Sequence, residues 1–318
     1  MVQKRVVLPK KLKLDTIYRI GPRNADEKYY WERVDRNIGW ITKTEQEVLR
    51  KTVIGIAGCG GMGGQLAEKF LRLGVGEIRI ADCEVFDISN INRQFAATRF
   101  TVGKSKAFET ARMLREISDD FTLEVYPQGI SEETVDQFIS GCDVVCDEIE
   151  FWAVGARILL HQQARKFKRP VFNCNTVGFG TRLFLFTHDS QTMEDCLGLS
   201  YQKAKLLQEK IQSRKASKDE IHEVMNSVLN GLVPAIPEYC AEESDYQNVI
   251  RLKERLFNEG KASIIATNPP MATGFLADRV LLHLLASSAI KRTAIETPKM
   301  PGYLYFDAAK MKAEIVRG

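Results

Sequence analysis

The chain has 318 residues, of which 44% are hydrophobic and 27% charged, with a formal net charge of +4. It is long for one compact domain and too short for two large ones, so the composition suits one α/β core with an elaborated second half. A charge this small and evenly spread gives no electrostatic case for nucleic acid, so DNA is not expected as a partner, and the mixed charge of Ser200–Phe257 without a basic run weighs against tRNA.

The first fifty residues are polar and mixed in charge, punctuated by Tyr29, Tyr30, Trp31 and Trp40. They are taken as an N-terminal arm with helices (residues 1–50), and the basic start Met1–Arg5 leads into no secretory signal. From Thr52 the pattern changes to short apolar runs alternating with helical periodicity, the signal of βαβ units and a parallel sheet. Val53–Ala57 predicts a strand, Gly63–Leu73 a helix and Ile78–Ala81 the next strand. Lys104–Ile117 predicts a helix, Leu123–Tyr126 and Val144–Cys146 strands, Ala153–Phe167 a helix, and Val171–Phe172 and Leu183–Phe186 two more strands. These elements make a core over residues 51–190.

Residues 191–318 read as a helical insertion and a C-terminal region. Ser200–Phe257 is charge-rich, with Leu, Ile and Val recurring at helical spacing. Thr273–Ala286 predicts a buried helix and Tyr303–Phe306 a last strand. The most apolar stretch, Met271–Ile290, is interrupted by Asp278, Arg279 and His283. Charges in mid-span are expensive in hydrocarbon, so no membrane association is expected.

Between the first predicted strand of the core and its helix lies Gly58-Cys59-Gly60-Gly61-Met62-Gly63. Glycines there let the backbone turn tightly and approach a nucleotide, with the helix N-terminus aimed at it. Asp82 ends the next strand, where an acidic side chain can accept hydrogen bonds from ribose hydroxyls. This loop alone does not choose between ATP and NAD. Downstream come Ser89-Asn90-Ile91-Asn92-Arg93-Gln94 and Gly103-Lys104-Ser105-Lys106. Hydride transfer has no need of an Arg and a Lys here, whereas a triphosphate losing pyrophosphate does.

The run resembles the ThiF/MoeB/ubiquitin-activating family, whose loops read Gly-x-Gly-Gly-x-Gly, then Asp, Ser-Asn-Leu-x-Arg-Gln and Gly-x-x-Lys. Here Ile91 replaces the Leu. The resemblance covers about residues 33–186 and resumes at the late helix and strand. It implies an α/β, Rossmann-like doubly wound sheet with an inserted helical segment and a C-terminal elaboration. It also implies an ATP-dependent adenylyltransferase that activates a carboxylate with release of pyrophosphate. Gly58, Gly60, Gly61, Gly63, Asp82, Asn90, Asn92, Arg93 and Lys106 would bind ATP, with Arg93 and Lys106 on its phosphates. The family's Arg-x-x-Arg falls on Arg33 and Arg36, and Arg36 would act on the phosphates of the other subunit of a homodimer. A surface ion pair is the plainer reading of Arg36, a solvated helix face that of Lys106, and loop bracing that of Asn90 and Asn92.

The family's Mg²⁺-binding Asp-x-x-Asp-Asn reads Asp147-Glu148-Ile149-Glu150-Phe151 here. Matching places Glu150 on the metal aspartate, with Asp147 as the other candidate and a solvated strand end as the plain alternative. The seven cysteines include no Cys-x-x-Cys pair. A disulfide framework and zinc are therefore not expected, and a reducing cytoplasm is. Cys196 is the least improbable thioester cysteine and is still read as a small buried hydrophobe. The substrate stays open among the C-terminal glycine of a ubiquitin-like or sulfur-carrier protein, a peptide and a modified tRNA base. An NAD-dependent oxidoreductase and a non-catalytic scaffold subunit are the competing functions.

Overall fold

A computed structural model describes residues 12–233, 237–240, 255–256, 260–290 and 294–318. The apolar runs of the core become five parallel strands: β2 (Val53–Ala57), β3 (Glu77–Ala81), β4 (Thr122–Tyr126), β5 (Val144–Asp147) and β6 (Val171–Val177). Covered on both faces, these strands read as near-continuous hydrophobic segments instead of alternating ones. The antiparallel β1 (Tyr18–Ile20) closes one edge against β4. On the other side β7 (Gly180–Phe186), β8 (Tyr303–Asp307) and β9 (Lys312–Val316) continue antiparallel from β6. The order is β1-β4-β3-β2-β5-β6-β7-β8-β9, nine strands among the described residues. Strands from all three expected segments thus join one sheet.

Helices cover both faces. α3 (Gly63–Leu73), α4 (Lys106–Ile117) and α10 (Asn268–Leu284) pack on one side, where Leu66, Phe70, Ala111, Leu114, Leu276 and Val280 are buried. α5 (Val135–Ile139), α6 (Val154–Lys166), α7 (Met193–Leu197), α8 (Tyr201–Gln212) and α9 (Lys218–Leu232) pack on the other. α3 ends at Gly74, whose φ of +90° is the left-handed cap that favours glycine. The N-terminal segment carries α1 (Glu27–Arg33), capped by Asp26, and α2 (Lys43–Lys51), opened by a Thr42/Glu45 capping box.

Three differences from the sequence reading have simple causes. β6 and β7 are longer than expected because Asn173, Asn175, Thr176 and Arg182 interrupt the apolar pattern without ending the strands. α10 starts five residues before Thr273, with prolines in its first turn, where a missing N–H costs nothing. Of the predicted helical insertion, α8 and α9 are observed, and most of residues 234–257 lie outside the described residues.

Candidate active site

β2 and β5 are neighbours in the sheet, and the helices that follow them lie on opposite faces. A crevice opens at the carboxyl ends of such a strand pair. The glycine loop occupies it. Gly58 has φ +102°, and a Cβ there would meet the Glu148 carbonyl oxygen at 2.1 Å. A Cβ on Gly63 would meet the Gly58 carbonyl oxygen at 1.9 Å. These two glycines are demanded by the fold. Gly60 and Gly61 are not, since a Cβ on either would make only ordinary contacts at 3.6 Å or more. Their bareness leaves room for a ligand.

Asp82 is buried behind this loop. Its Oδ2 accepts from the Cys59 N–H at 2.7 Å and its Oδ1 from the Glu84 N–H at 2.8 Å. Desolvation raises its pKa to about 6, against the pull of Lys106 and of those two N–H groups. Lys106, at the start of α4, is buried, and its Nζ lies 2.6 Å from Glu84 Oε2. Burial opposes its charge, but Asp82 and Glu84 together raise its pKa. It is therefore a fixed cation and no part of a solvated helix face.

Arg93 lines the cleft in front of the loop, its Nη1 donating to Ser89 O and Asn92 Oδ1. Desolvation lowers its pKa, with Glu150 opposing. Asn90 is buried and accepts the Asp87 N–H at 3.0 Å, which is the loop-bracing role. Asn92 donates to Ile264 O at 3.1 Å and so ties the Asn-rich loop to the segment that roofs the cleft.

The three acids after β5 separate. Asp147 is fully buried, with Oδ2 bonded to Arg157 Nε at 3.0 Å and His161 Nε2 at 2.9 Å, and Oδ1 accepting the Ile149 N–H. Burial would raise its pKa, but Arg157 and His161 hold it below the usual carboxylate range. Asp147 is a structural ion pair and does not face the cleft, because Arg157 draws it inward. Glu150 does line the cleft. Its side chain is exposed at the cleft, where desolvation by the surrounding protein and the nearby Glu84 still raise its pKa, an arrangement of acids that favours a bound cation. Glu148, not expected as a ligand from the sequence, also lines the cleft, and its Oε1 has no hydrogen-bond partner among the described residues. Among the described residues no three His, Cys, Asp or Glu form a ready metal cluster. Mg²⁺ typically binds one or two carboxylates and completes its shell with substrate phosphates and water, which Glu150 fits.

The cleft, about 270 Å³, runs from Gly60 and Arg93 across the ends of β5 and β6. Its outer wall is apolar, built from Phe151, Val228, Leu229, Val233, Ile264 and Pro269. The helical spacing of the insertion foretold helices, but nothing in it says which face meets the site. Cys196 is not among the lining residues, and burial pushes its thiol up to about 12, unlike a nucleophile.

The two arginines of Arg-x-x-Arg also separate. Arg33 is built into the fold, bonding Asp120 at 2.9 Å and Leu71 O at 2.6 Å. The Arg36 side chain is 98% exposed and its Nε lies 3.8 Å from Asp35 Oδ2, the surface ion pair of the plainer reading. The adjacent Asn37 bonds Leu73 O at the C-terminal end of α3, whereas the glycine loop lies at that helix's N-terminus. Eleven residues separate the two ends. That is roughly 16 Å at 1.5 Å per residue, so Arg36 is remote from its own loop.

A glycine loop at the switch point of a parallel sheet defines a Rossmann-like α/β protein. The ThiF family model matches residues 34–317, and the chain belongs to the ThiF family. It is 28% identical over 142 residues to the mouse adenylyltransferase and sulfurtransferase MOCS3, covering 45% of this chain and 30% of that protein. It is 34% identical over 113 residues to the tRNA threonylcarbamoyladenosine dehydratase of Bacillus subtilis, covering 35% of this chain and 44% of that one. The chain thus spans less than half the length of either relative. The crystal structure of selenomethionine PaaA has a similar fold, with a TM-score of 0.59 at 14% identity, covering 92% of this chain and 75% of that one. No described helix is long and apolar enough to cross a membrane.

Proposed function

We propose that this chain is an ATP-dependent adenylyltransferase that activates a substrate carboxylate as its acyl adenylate and releases pyrophosphate. The observation that carries the reading is the convergence of fixed groups around the loop. Asp82, Lys106 and Arg93 lie on separate elements, and the sheet gathers them at the ends of β2 and β3. Asp82 would take the ribose. Lys106 and Arg93 would meet charge that grows on the α-phosphate and the departing pyrophosphate, where preorganised cations act most strongly. Glu150 would hold Mg²⁺, which when bound neutralises phosphate charge. The apolar end of the cleft would receive the acyl group and exclude water that would hydrolyse the adenylate.

A homodimer belongs to the same reading. Arg36 is exposed and remote from its own loop, so any role on phosphates is exerted on the other subunit's site. Val85, Ile88, Ile91, Phe100 and Val102 are exposed around the motif loops, an apolar surface suited to a second copy. The acyl substrate would be a ubiquitin-like or sulfur-carrier protein or a peptide. A tRNA base is less favoured because the sequence of Ser200–Phe257 carries mixed charge without a basic run.

Calorimetric titration with ATP and with NAD tests the nucleotide, and pyrophosphate exchange against a panel of carboxylates tests the reaction. NAD binding without ATP binding would overturn the proposal in favour of an oxidoreductase. ATP binding without exchange on any carboxylate would favour the scaffold reading, which the inward-turned Asp147 supports.

A further inference from the structure

One strand beyond the cleft wall lies a buried cation that none of these roles uses. Arg182, in the middle of β7, is 2% exposed and heads the large fully buried side chains. Among the described residues its Nε and Nη1 have no hydrogen-bond partner. In register it stands opposite Asn175 of β6 and Tyr305 of β8. Directly paired residues on neighbouring strands share a face, their Cβ atoms about 5 Å apart. Arg182 does not itself line the cleft, but by this pairing it shares a face with Asn175, which does, and stands one strand behind it. Cys240, another lining residue, is near enough to feel the guanidinium's charge. On its far side the guanidinium stands over the Tyr305 ring, 4.8 Å from the centroid.

The guanidinium shares a side-chain hydrogen bond with Tyr305, and Asp307 acts on it through charge without bonding it directly. Asp307 Oδ2 accepts from the Tyr239 and Tyr305 hydroxyls, both at 2.8 Å, and Oδ1 accepts from the Ala309 and Lys310 N–H groups. A buried guanidinium with open donors is unfavourable until an anion completes it, and its planar fork matches a carboxylate. Distance decides which carboxylate. β7 lies three strands from β2 in the sheet order. At about 4.8 Å per strand that is roughly 14 Å from the strand that carries the glycine loop. A carboxylate attacking the α-phosphate sits at the loop, so one at Arg182 is a different group.

We propose that Arg182 is a specificity-determining residue that receives a second carboxylate of the acyl substrate, the one not activated. The substrate class is then a diacid or an acidic peptide. This rests on the reading of the cleft as the acyl site. An extended peptide advances about 3.4 Å per residue, so four residues span the separation.

The probes are N-acetylated tetrapeptides with a free C-terminus, in pairs carrying Glu or Gln at each position, titrated calorimetrically in the presence of α,β-methylene-ATP. In the wild type, at one position the Glu peptide binds at least tenfold more tightly than its Gln partner. In Arg182→Met that preference vanishes, while affinity for the ATP analogue is unchanged and the melting temperature is equal or higher. A purely structural arginine gives the opposite, a lower melting temperature. Cys240→Asp provides a second test that does not depend on the first variant folding. An internal carboxylate beside the guanidinium should raise the melting temperature and abolish the Glu preference. The inference is overturned if the wild type shows no Glu preference at any position or if the preference survives in Arg182→Met. It is equally overturned if ATP affinity falls with Arg182→Met, which would assign Arg182 to the nucleotide. A wild type that binds no ATP analogue fails the adenylation reading instead, and that titration is read before any peptide is added.

Discussion

Replacing Asp82 by Asn isolates what its charge does. The carboxyl titrates near 6, raised from 3.8 chiefly by desolvation. A rise of about 2 units at 1.36 kcal/mol per unit corresponds to roughly 3 kcal/mol. An acid whose pKa is raised on folding binds its proton more tightly in the folded chain than in the unfolded one. Its contribution therefore makes stability fall as pH rises from about 4 to about 6, and level off above. Asn cannot ionise, so denaturant melts of Asp82→Asn should lack that decline, whatever the offset from placing an amide against the Cys59 and Glu84 N–H groups. Adenosine is the ligand to pair with this, because it carries no phosphate that titrates in the same range. If the ionised Asp82 accepts from ribose hydroxyls, wild-type affinity for adenosine should drop as pH falls through 6. At pH 8 the variant should bind roughly ten- to a hundredfold more weakly, the loss of about 1.5–3 kcal/mol expected for hydrogen bonds to a charged group. A folded variant with the wild-type pH slope would refute the buried-acid argument. Unchanged adenosine affinity at pH 8 would remove Asp82 from the ribose site.

Arg93→Ala and Lys106→Ala should depress pyrophosphate exchange more than they weaken ATP binding, since the charge they meet grows in the transition state; equal losses in both would mark them as ground-state contacts. Gly58→Ala should destabilise the fold by several kcal/mol in denaturant melts, because its Cβ meets the Glu148 carbonyl and its φ is positive; a near-neutral change would contradict the loop geometry. Cys196→Ala should leave adenylate formation intact, and a thiol-sensitive conjugate lost in that variant alone would show otherwise. Mixing Arg36→Ala subunits with Arg93→Ala subunits should restore part of the exchange activity, since each mixed dimer holds one site with both defects and one with neither. No recovery despite demonstrated subunit exchange would mean that Arg36 does not act across the interface.

What the chain discloses of itself depends on whether a residue's role is local. Val53–Ala57 and Gly63–Leu73 are observed with the bounds their pattern predicts, because a doubly buried strand and a helix ended by a left-handed glycine write their limits into consecutive residues. The glycine loop and Asp82 are legible for the same reason, being one turn and the strand after it. The short N-terminal elements carry local signals too, in the caps Asp26 and Thr42, but they are too brief to show hydrophobic periodicity. Roles fixed by tertiary neighbours are hidden. Arg33 and Arg36 stand three residues apart in one motif, yet Asp120, 87 residues on, holds the first, while the second meets the adjacent, exposed Asp35 at 3.8 Å. Asp147 and Glu150 look interchangeable until Arg157 and His161 on α6 take the first inward and leave the second on the cleft. Asn173, Asn175 and Arg182 carry the same lesson furthest. Polar residues in a strand read as its end, yet here Asn173 and Arg182 are buried within their strands and Asn175 lines the cleft. Arg182 is the plainest case, a charge set inside an apolar strand whose role depends on Tyr305 and Asp307 more than a hundred residues on, and whose Nε and Nη1 have no hydrogen-bond partner among the described residues.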